Sequence, residues 1–336
     1  MRVDGVERRS DRRARLILLG RVLGSVAMLA FLLNRIPRFD INRFWPGWTP
    51  HTIGFLAAAA ALSLLGIVLS TLRWQQVLHA LGLDEGAGWR RLLSYYLAGQ
   101  FVGNVLPSTI GGDVLRVSRL AKDNGEAPGT FASVVLERLT GWLVLPVITL
   151  VAFLVNPGLR HLGAATQVAV GLSVMTLLGL TVVLVAAANR GIGARLANHT
   201  GWRRFVSAVH LGLDRFRSHP GAAAGVLLVG FAYQLVLVLA ALMAAEALGV
   251  DVGPTALLAF VPAVAIAQVL PIGISGLGVR EGAFVLFLTP LGVATEQAIA
   301  LGLLLYALNL VVSLLGAPAF AVGSKPVAPP PQRALV

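Results

Sequence analysis

The chain contains no cysteine, so disulfides and thiolate nucleophiles are excluded and the redox state of its compartment leaves no trace. Charge is scarce: 12% of the 336 residues are Asp, Glu, Lys or Arg. Lysine is nearly absent, with Lys122 and Lys325 set against 25 arginines. The six histidines are scattered and none falls in a metal-ligand spacing such as HExxH, so neither a metal site nor a bound cofactor is expected. A phosphate-cradling GxxxxGK[ST] loop is missing, which argues against an ATP motor of that type. No nucleophile–base pair stands out, so the chain does not read as an enzyme. The first apolar stretch follows an arginine-rich arm and lacks a small-residue cleavage site, so it is not expected to be a cleaved signal.

What is present is apolar. Hydrophobic residues make up 57% of the sequence and lie in long uncharged runs, the pattern of an all-α polytopic membrane protein. The net charge of +12 sits in the loops between those runs. It therefore reads as the positive charge of cytoplasmic loops against anionic lipid, and no nucleic-acid partner is expected.

Residues 1–15 form a cytoplasmic basic arm, residues 16–322 a single transmembrane domain, and residues 323–336 a proline-rich cytoplasmic tail. Full spans are expected at 16–33, 52–72, 129–155, 163–188, 221–245 and 297–322. Arg73-Trp74 reads as an interface anchor closing the second of them, and 189–220 as an interfacial amphipathic helix. Two further apolar segments, 92–106 and 255–270, cover only ~22–24 Å at 1.5 Å per residue, too short for a ~30 Å hydrocarbon core. Each ends at a proline and a glycine-rich turn: Val105-Leu106-Pro107-Ser108-Thr109-Ile110-Gly111-Gly112-Asp113-Val114-Leu115-Arg116, and 164 positions later Val269-Leu270-Pro271-Ile272-Gly273-Ile274-Ser275-Gly276-Leu277-Gly278-Val279-Arg280. Both read as re-entrant broken-helix hairpins. Counting them so leaves 20 of 27 basic residues in cytoplasmic segments and makes the halves 16–155 and 163–322 an inverted-topology repeat. Both termini are then cytoplasmic, in a plasma (inner) membrane.

Ionisable groups at membrane depth are costly and commonly functional. Arg116 and Arg280, just past the glycine turns, offer planar donor forks that suit a phosphate. Gly111, Gly112, Gly276 and Gly278 would open backbone N–H groups to it, with Ser108 and Asn104 as polar neighbours. Asp113, Glu137, Arg138 and Glu281 are the charge partners, with Asp113 placed to cap the helix after the first break. The same groups could equally neutralise one another, as Arg116–Glu137 and Arg138–Glu281 pairs. Glu246 and Glu296 lie at helix ends and are expected to be solvated.

The run Asn104-x-Leu106-Pro107-Ser108-x-x-Gly111-Gly112-Asp113-x-x-Arg116, the pairs Arg73-Trp74 and Glu137-Arg138, and the later Gly276-x-Gly278-x-Arg280-Glu281 resemble the lysylphosphatidylglycerol synthase transmembrane family, also called flippase-like membrane domains. The resemblance covers roughly residues 15–322. It implies movement of an anionic or aminoacylated phospholipid, or a related lipid-linked headgroup, between leaflets. In bifunctional members a soluble aminoacyltransferase follows this module. With the sequence running to Val336, no domain for lysyl transfer is expected. The expected partner is a membrane phospholipid with a phosphate headgroup. A non-transporting lipid-binding partner of a separate lipid-modifying enzyme is the alternative, and an intramembrane transferase a further one.

Overall fold

Thr49 and Pro50 open the first helix seen in the structure, a computed structural model that describes residues 45, 47–83, 88–105, 111–188, 202–269 and 276–322. The threonine hydroxyl accepts the N–H of Thr52, and the proline stands in the first turn, where a missing donor costs nothing. Helix α1 runs Pro50–Leu81 and stops at Gly82, whose φ of 70° ends it in the left-handed conformation. The other helices are α2 (Trp89–Val105), α3 (Gly111–Asn124), α4 (Ala127–Val155), α5 (Ala164–Ala188), α6 (Trp202–Ser218), α7 (Pro220–Ala247), α8 (Pro254–Ala267), α9 (Val279–Leu288), α10 (Thr295–Leu314) and α11 (Ala317–Val322). No strand occurs among the described residues.

Five described helices, α1, α4, α5, α7 and α10, are long and apolar enough to cross a membrane. They fall where five of the expected spans were placed, while the expected span at 16–33 lies outside the described residues. Their outward faces are apolar. On α5, Met175, Leu178, Val182 and Val185 form an exposed stripe at helical spacing, as a lipid-facing surface requires. The protein is therefore a multi-pass membrane protein.

α2, α8 and α9 are short, with 17, 14 and 10 residues. At 1.5 Å per residue the longest covers ~26 Å and the shortest ~15 Å, below the hydrocarbon thickness. α2 and α3 lie side by side and antiparallel. The Tyr95 hydroxyl donates to Asp123 at one end, and at the other a Cβ on Gly112 would lie 2.2 Å from the Gly99 carbonyl oxygen. Glycine at both positions is what allows the two backbones to touch. The turn itself, 106–110 with Ser108, lies outside the described residues, as does 270–275 in the second element.

α1 packs along α7, α4 against α8, and α2 against α10. The largest apolar cluster joins α4, α7, α8, α9 and α10 around Phe260, Phe284 and Phe287. α6 is no free surface helix: Val206, Ala208 and Val209 are buried in a cluster that includes Leu136 of α4 and Ala187 of α5. The segment expected as one span over 297–322 is broken after Leu314, and Gly316 explains why. A Cβ there would sit 2.0 Å from the Leu97 carbonyl oxygen, so the chain turns where it meets α2 backbone to backbone.

Candidate functional site

Three helices carry charge to one place. α1 brings Arg73, α3 brings Asp113 and Arg116, and α4 brings Glu137 and Arg138, around a cavity of ≈ 240 Å³ completed by Tyr96, Gln100 and Tyr233. Glu137, 2% exposed, is the hub. Its Oε1 accepts from Arg73 Nη2, and its Oε2 accepts from Arg116 Nη2 at 2.9 Å. The Arg116 guanidinium is also held between Trp74 and Tyr96, 4.4 Å from each ring centroid. The indole is in turn fixed by its N–H donating to Ser133 Oγ at 3.0 Å.

Arg73 lies 5.2 Å from the centroid of the Tyr233 ring, and its Nε and Nη1 are buried without a hydrogen-bond partner among the described residues. Gly141 leaves it room, since a Cβ there would come within 2.9 Å of Nη1. Arg138 pairs with Asp113, whose other oxygen lies 3.8 Å from Arg116 Nη1. Around the cavity, three guanidiniums thus face two carboxylates. A formal positive charge is left over in a place where charge is expensive. Buried guanidinium N–H groups without acceptors add to that cost. An anion in the cavity would relieve both.

A second cavity of ≈ 190 Å³ is lined by Arg280, Gln268 and Asn309, and shares Gln100 and Tyr233 with the first. Arg280 Nε donates to Gln268 Oε1 at 2.8 Å, and its guanidinium lies 5.2 Å from the centroid of the Tyr306 ring. Glu281, fully buried, turns back to accept the N–H of Gly278, the φ = 85° residue that starts α9.

Several expectations are corrected. Arg73-Trp74 is not an interface anchor: the two residues are 4% and 0% exposed, inside a helix that continues for two more turns. The signal was present, because Trp74, Val77, Leu78 and Leu81 follow helical spacing past the arginine and all four are buried. Arg138 does not meet Glu281; it takes Asp113, and Glu281 caps its own helix. Asp113 is no cap, since α3 already begins at Gly111 and the carboxylate faces the arginines. Arg138 is half exposed rather than buried. Gly112 faces the Gly99 backbone while lining the first cavity, and Gly276, at φ = 75°, sits against Gln268. Asn104 donates to Asn309 at 3.3 Å. Glu296 is buried, at 9% exposure, whereas Glu246 is exposed. Among the described residues no cluster of His, Asp and Glu could hold a metal.

The family model described as lysylphosphatidylglycerol synthase TM region matches residues 17–316. A protein of Haloferax volcanii named glycosyltransferase AglD is 28% identical over 297 residues, covering 78% of this chain and 47% of that protein. A UPF0104 membrane protein of Methanothermobacter thermautotrophicus is 28% identical over 210 residues, covering 60% of this chain and 55% of the relative. The chain thus spans about half the length of the curated relatives it matches. No solved structure shows a significant match.

Proposed function

The chain belongs to the lysylphosphatidylglycerol synthase TM family, and on that premise we propose that it carries an anionic phospholipid, or a related lipid-linked headgroup, between the two leaflets of the plasma membrane. The observation that carries this reading is the surplus positive charge around the first cavity, with Arg73, Arg116 and Arg138 against Asp113 and Glu137. A phosphate crossing hydrocarbon alone would face a prohibitive desolvation cost, which buried guanidiniums offset. The second cavity supplies a further arginine, Arg280, beyond a wall made by Gln100 and Tyr233. A headgroup would pass that wall while its acyl chains stay in apolar surroundings.

The antiparallel α2–α3 pair and the short α8 and α9 support two re-entrant elements. Their 164-residue offset and the charge of the loops support opposed halves with both termini cytoplasmic. The glycine turns and Asn104 would then position the headgroup rather than hold it by charge.

The test is reconstitution in vesicles with fluorescent phosphatidylglycerol, measuring loss of outer-leaflet probe to reduction. Wild type should accelerate exchange, and Arg116→Gln should remove at least about tenfold of it, ~1.4 kcal/mol, while the Glu137–Arg73 pair still holds the fold. Unchanged exchange in that variant defeats the reading.

The relative named as a glycosyltransferase favours a second reading, in which the same cavity presents a lipid phosphate to a glycosyl-transfer step. Product formed by the purified chain from lipid and sugar donor, without leaflet exchange, would select it.

A further inference from the structure

The polar cavity has an apolar neighbour. A groove of ≈ 560 Å³ runs between α3, α4 and α6, lined by Val114, Val117, Phe131, Val134, Leu139 and Phe205. It shares Asp113, Arg138 and Trp142 with the polar cavity, so the Asp113–Arg138 ion pair stands on the boundary between the two. Its volume is within the range of small-molecule sites.

We infer that this groove seats an acyl chain of the transported lipid, and that the Asp113–Arg138 pair is the latch between chain groove and headgroup cavity. The inference rests on the translocation reading above and adds where the tail lies and which residues open the site. Charge complementarity selects the occupant: only a molecule with an anionic head and an apolar tail satisfies both compartments at once.

The latch also has a route to open without stranding a charge. Arg138 is the half-exposed arginine of the cluster, and Asp113 already has Arg116 as a second cation at 3.8 Å. When a phosphodiester takes Arg138, Asp113 turns to Arg116 and Glu137 keeps Arg73. Three cations then face three anions, and the surplus charge is closed by one negative headgroup. A singly charged phosphodiester lipid is therefore favoured over a dianionic phosphomonoester.

The experiment uses the purified full chain in detergent, titrated with phosphatidylglycerol carrying brominated acyl chains, which quench nearby indoles. Trp142 borders both compartments and reports the site. Wild type should show saturable quenching, and Trp142→Phe should lose most of it. Val114→Phe with Ser118→Phe fills the groove from two exposed positions, so the fold is retained, which size-exclusion elution checks. That variant should bind the brominated lipid about tenfold more weakly. Its thermal stabilisation by water-soluble glycerophosphoglycerol should stay within about twofold of wild type. Asp113→Asn releases Arg138 and should bind the lipid several-fold more tightly. Wild-type quenching in the groove-filled variant, or weaker lipid binding in Asp113→Asn, overturns the inference while glycerophosphoglycerol binding leaves the translocation reading standing. If glycerophosphoglycerol does not stabilise even the wild type, the headgroup cavity fails and both fall.

Discussion

The two broken elements share their letters and differ in their company. Arg116 and Arg280 stand 164 positions apart, each after a proline and a glycine turn. Arg116 is bonded to Glu137 and clasped by Trp74 and Tyr96, whereas Arg280 is held by Gln268 and lies over Tyr306. Carrying the same offset through the partners shows why. Glu137 falls on Leu301, Arg138 on Gly302, Arg73 on Leu237 and Trp74 on Val238. The second element brings its own acid, Glu281, where the first has Val117. The same sequence motif thus leads into two unlike charge environments: one rich in arginine, one with a single arginine beside an acid turned to helix capping. Translocation needs sites that release as well as bind, so unequal cavities suit it better than a symmetric pair.

The strongest way to break this comparison is to ask whether the halves face opposite ways at all. The chain has no cysteine, so single cysteines are clean probes. A cysteine at Arg90, at the start of α2, and one at Gly253, just before α8, should react with a membrane-impermeant maleimide from opposite sides. All-or-none sidedness is expected. Labelling of both from the same side would remove the opposed-halves reading.

Next in size is the acid hub. Glu137→Gln strips the carboxylate from both Arg73 and Arg116, leaving the buried Arg73 guanidinium without an anion among the described residues and Arg116 with only Asp113 at 3.8 Å, a loss on the order of 3–5 kcal/mol. Glu281→Gln keeps an acceptor for the Gly278 N–H and loses only the charge that strengthens that bond, so it should cost only about 1 kcal/mol. Thermal unfolding in detergent ranks them. Equal losses would mean that the second element is as tightly locked as the first.

How far the sequence reveals this arrangement depends on the range over which each feature is decided. Long apolar runs mark the five described spans because crossing a membrane is a local property of composition and length. Pro107 and Pro271, expected to break the two short elements, lie outside the described residues, past the ends of α2 and α8. The Arg116–Glu137 pairing was visible as two opposite charges at membrane depth. Arg73 was not, because Arg-Trp after an apolar run is also the pattern of an interface anchor, and only the approach of α4 to α1 turns it inward. Asp113 takes Arg138 instead of capping α3, and Glu281 caps α9 instead of meeting Arg138, because tertiary packing makes both choices. The contacts of Gly112 with Gly99 and of Gly316 with Leu97 are likewise decided between helices.

Those glycines sharpen the comparison at a finer scale. Gly112→Ala would drive a Cβ to 2.2 Å from the Gly99 carbonyl, a backbone atom that cannot swing aside. α2 and α3 must separate, with a cost of about 1–3 kcal/mol and a distorted cavity. Gly276→Ala meets the flexible Gln268 side chain at 2.8 Å, and its main burden is the φ of 75°, worth roughly 1–2 kcal/mol. Gly112→Ala should therefore lower leaflet exchange more than Gly276→Ala, measured side by side in vesicles. The reverse order would place the sensitive backbone contact in the second element.

The smallest effect tests whether ring contacts hold the second arginine. Tyr306 lies 5.2 Å from the Arg280 guanidinium, and a desolvated cation–π contact is worth ~0.5–2 kcal/mol. Tyr306→Phe keeps the ring face and should change neither stability nor exchange beyond error. Tyr306→Leu keeps the apolar bulk and loses the π face, so it should lower stability by ~1 kcal/mol and alter exchange by about two- to threefold. The direction of that change is informative. With the ring gone, Arg280 has one fewer claim on its charge and a phosphate has less competition for it, so retention should lengthen and exchange should slow. Faster exchange in Tyr306→Leu would mean that the ring restrains the headgroup instead, and that the second cavity, not the first, sets the rate of release.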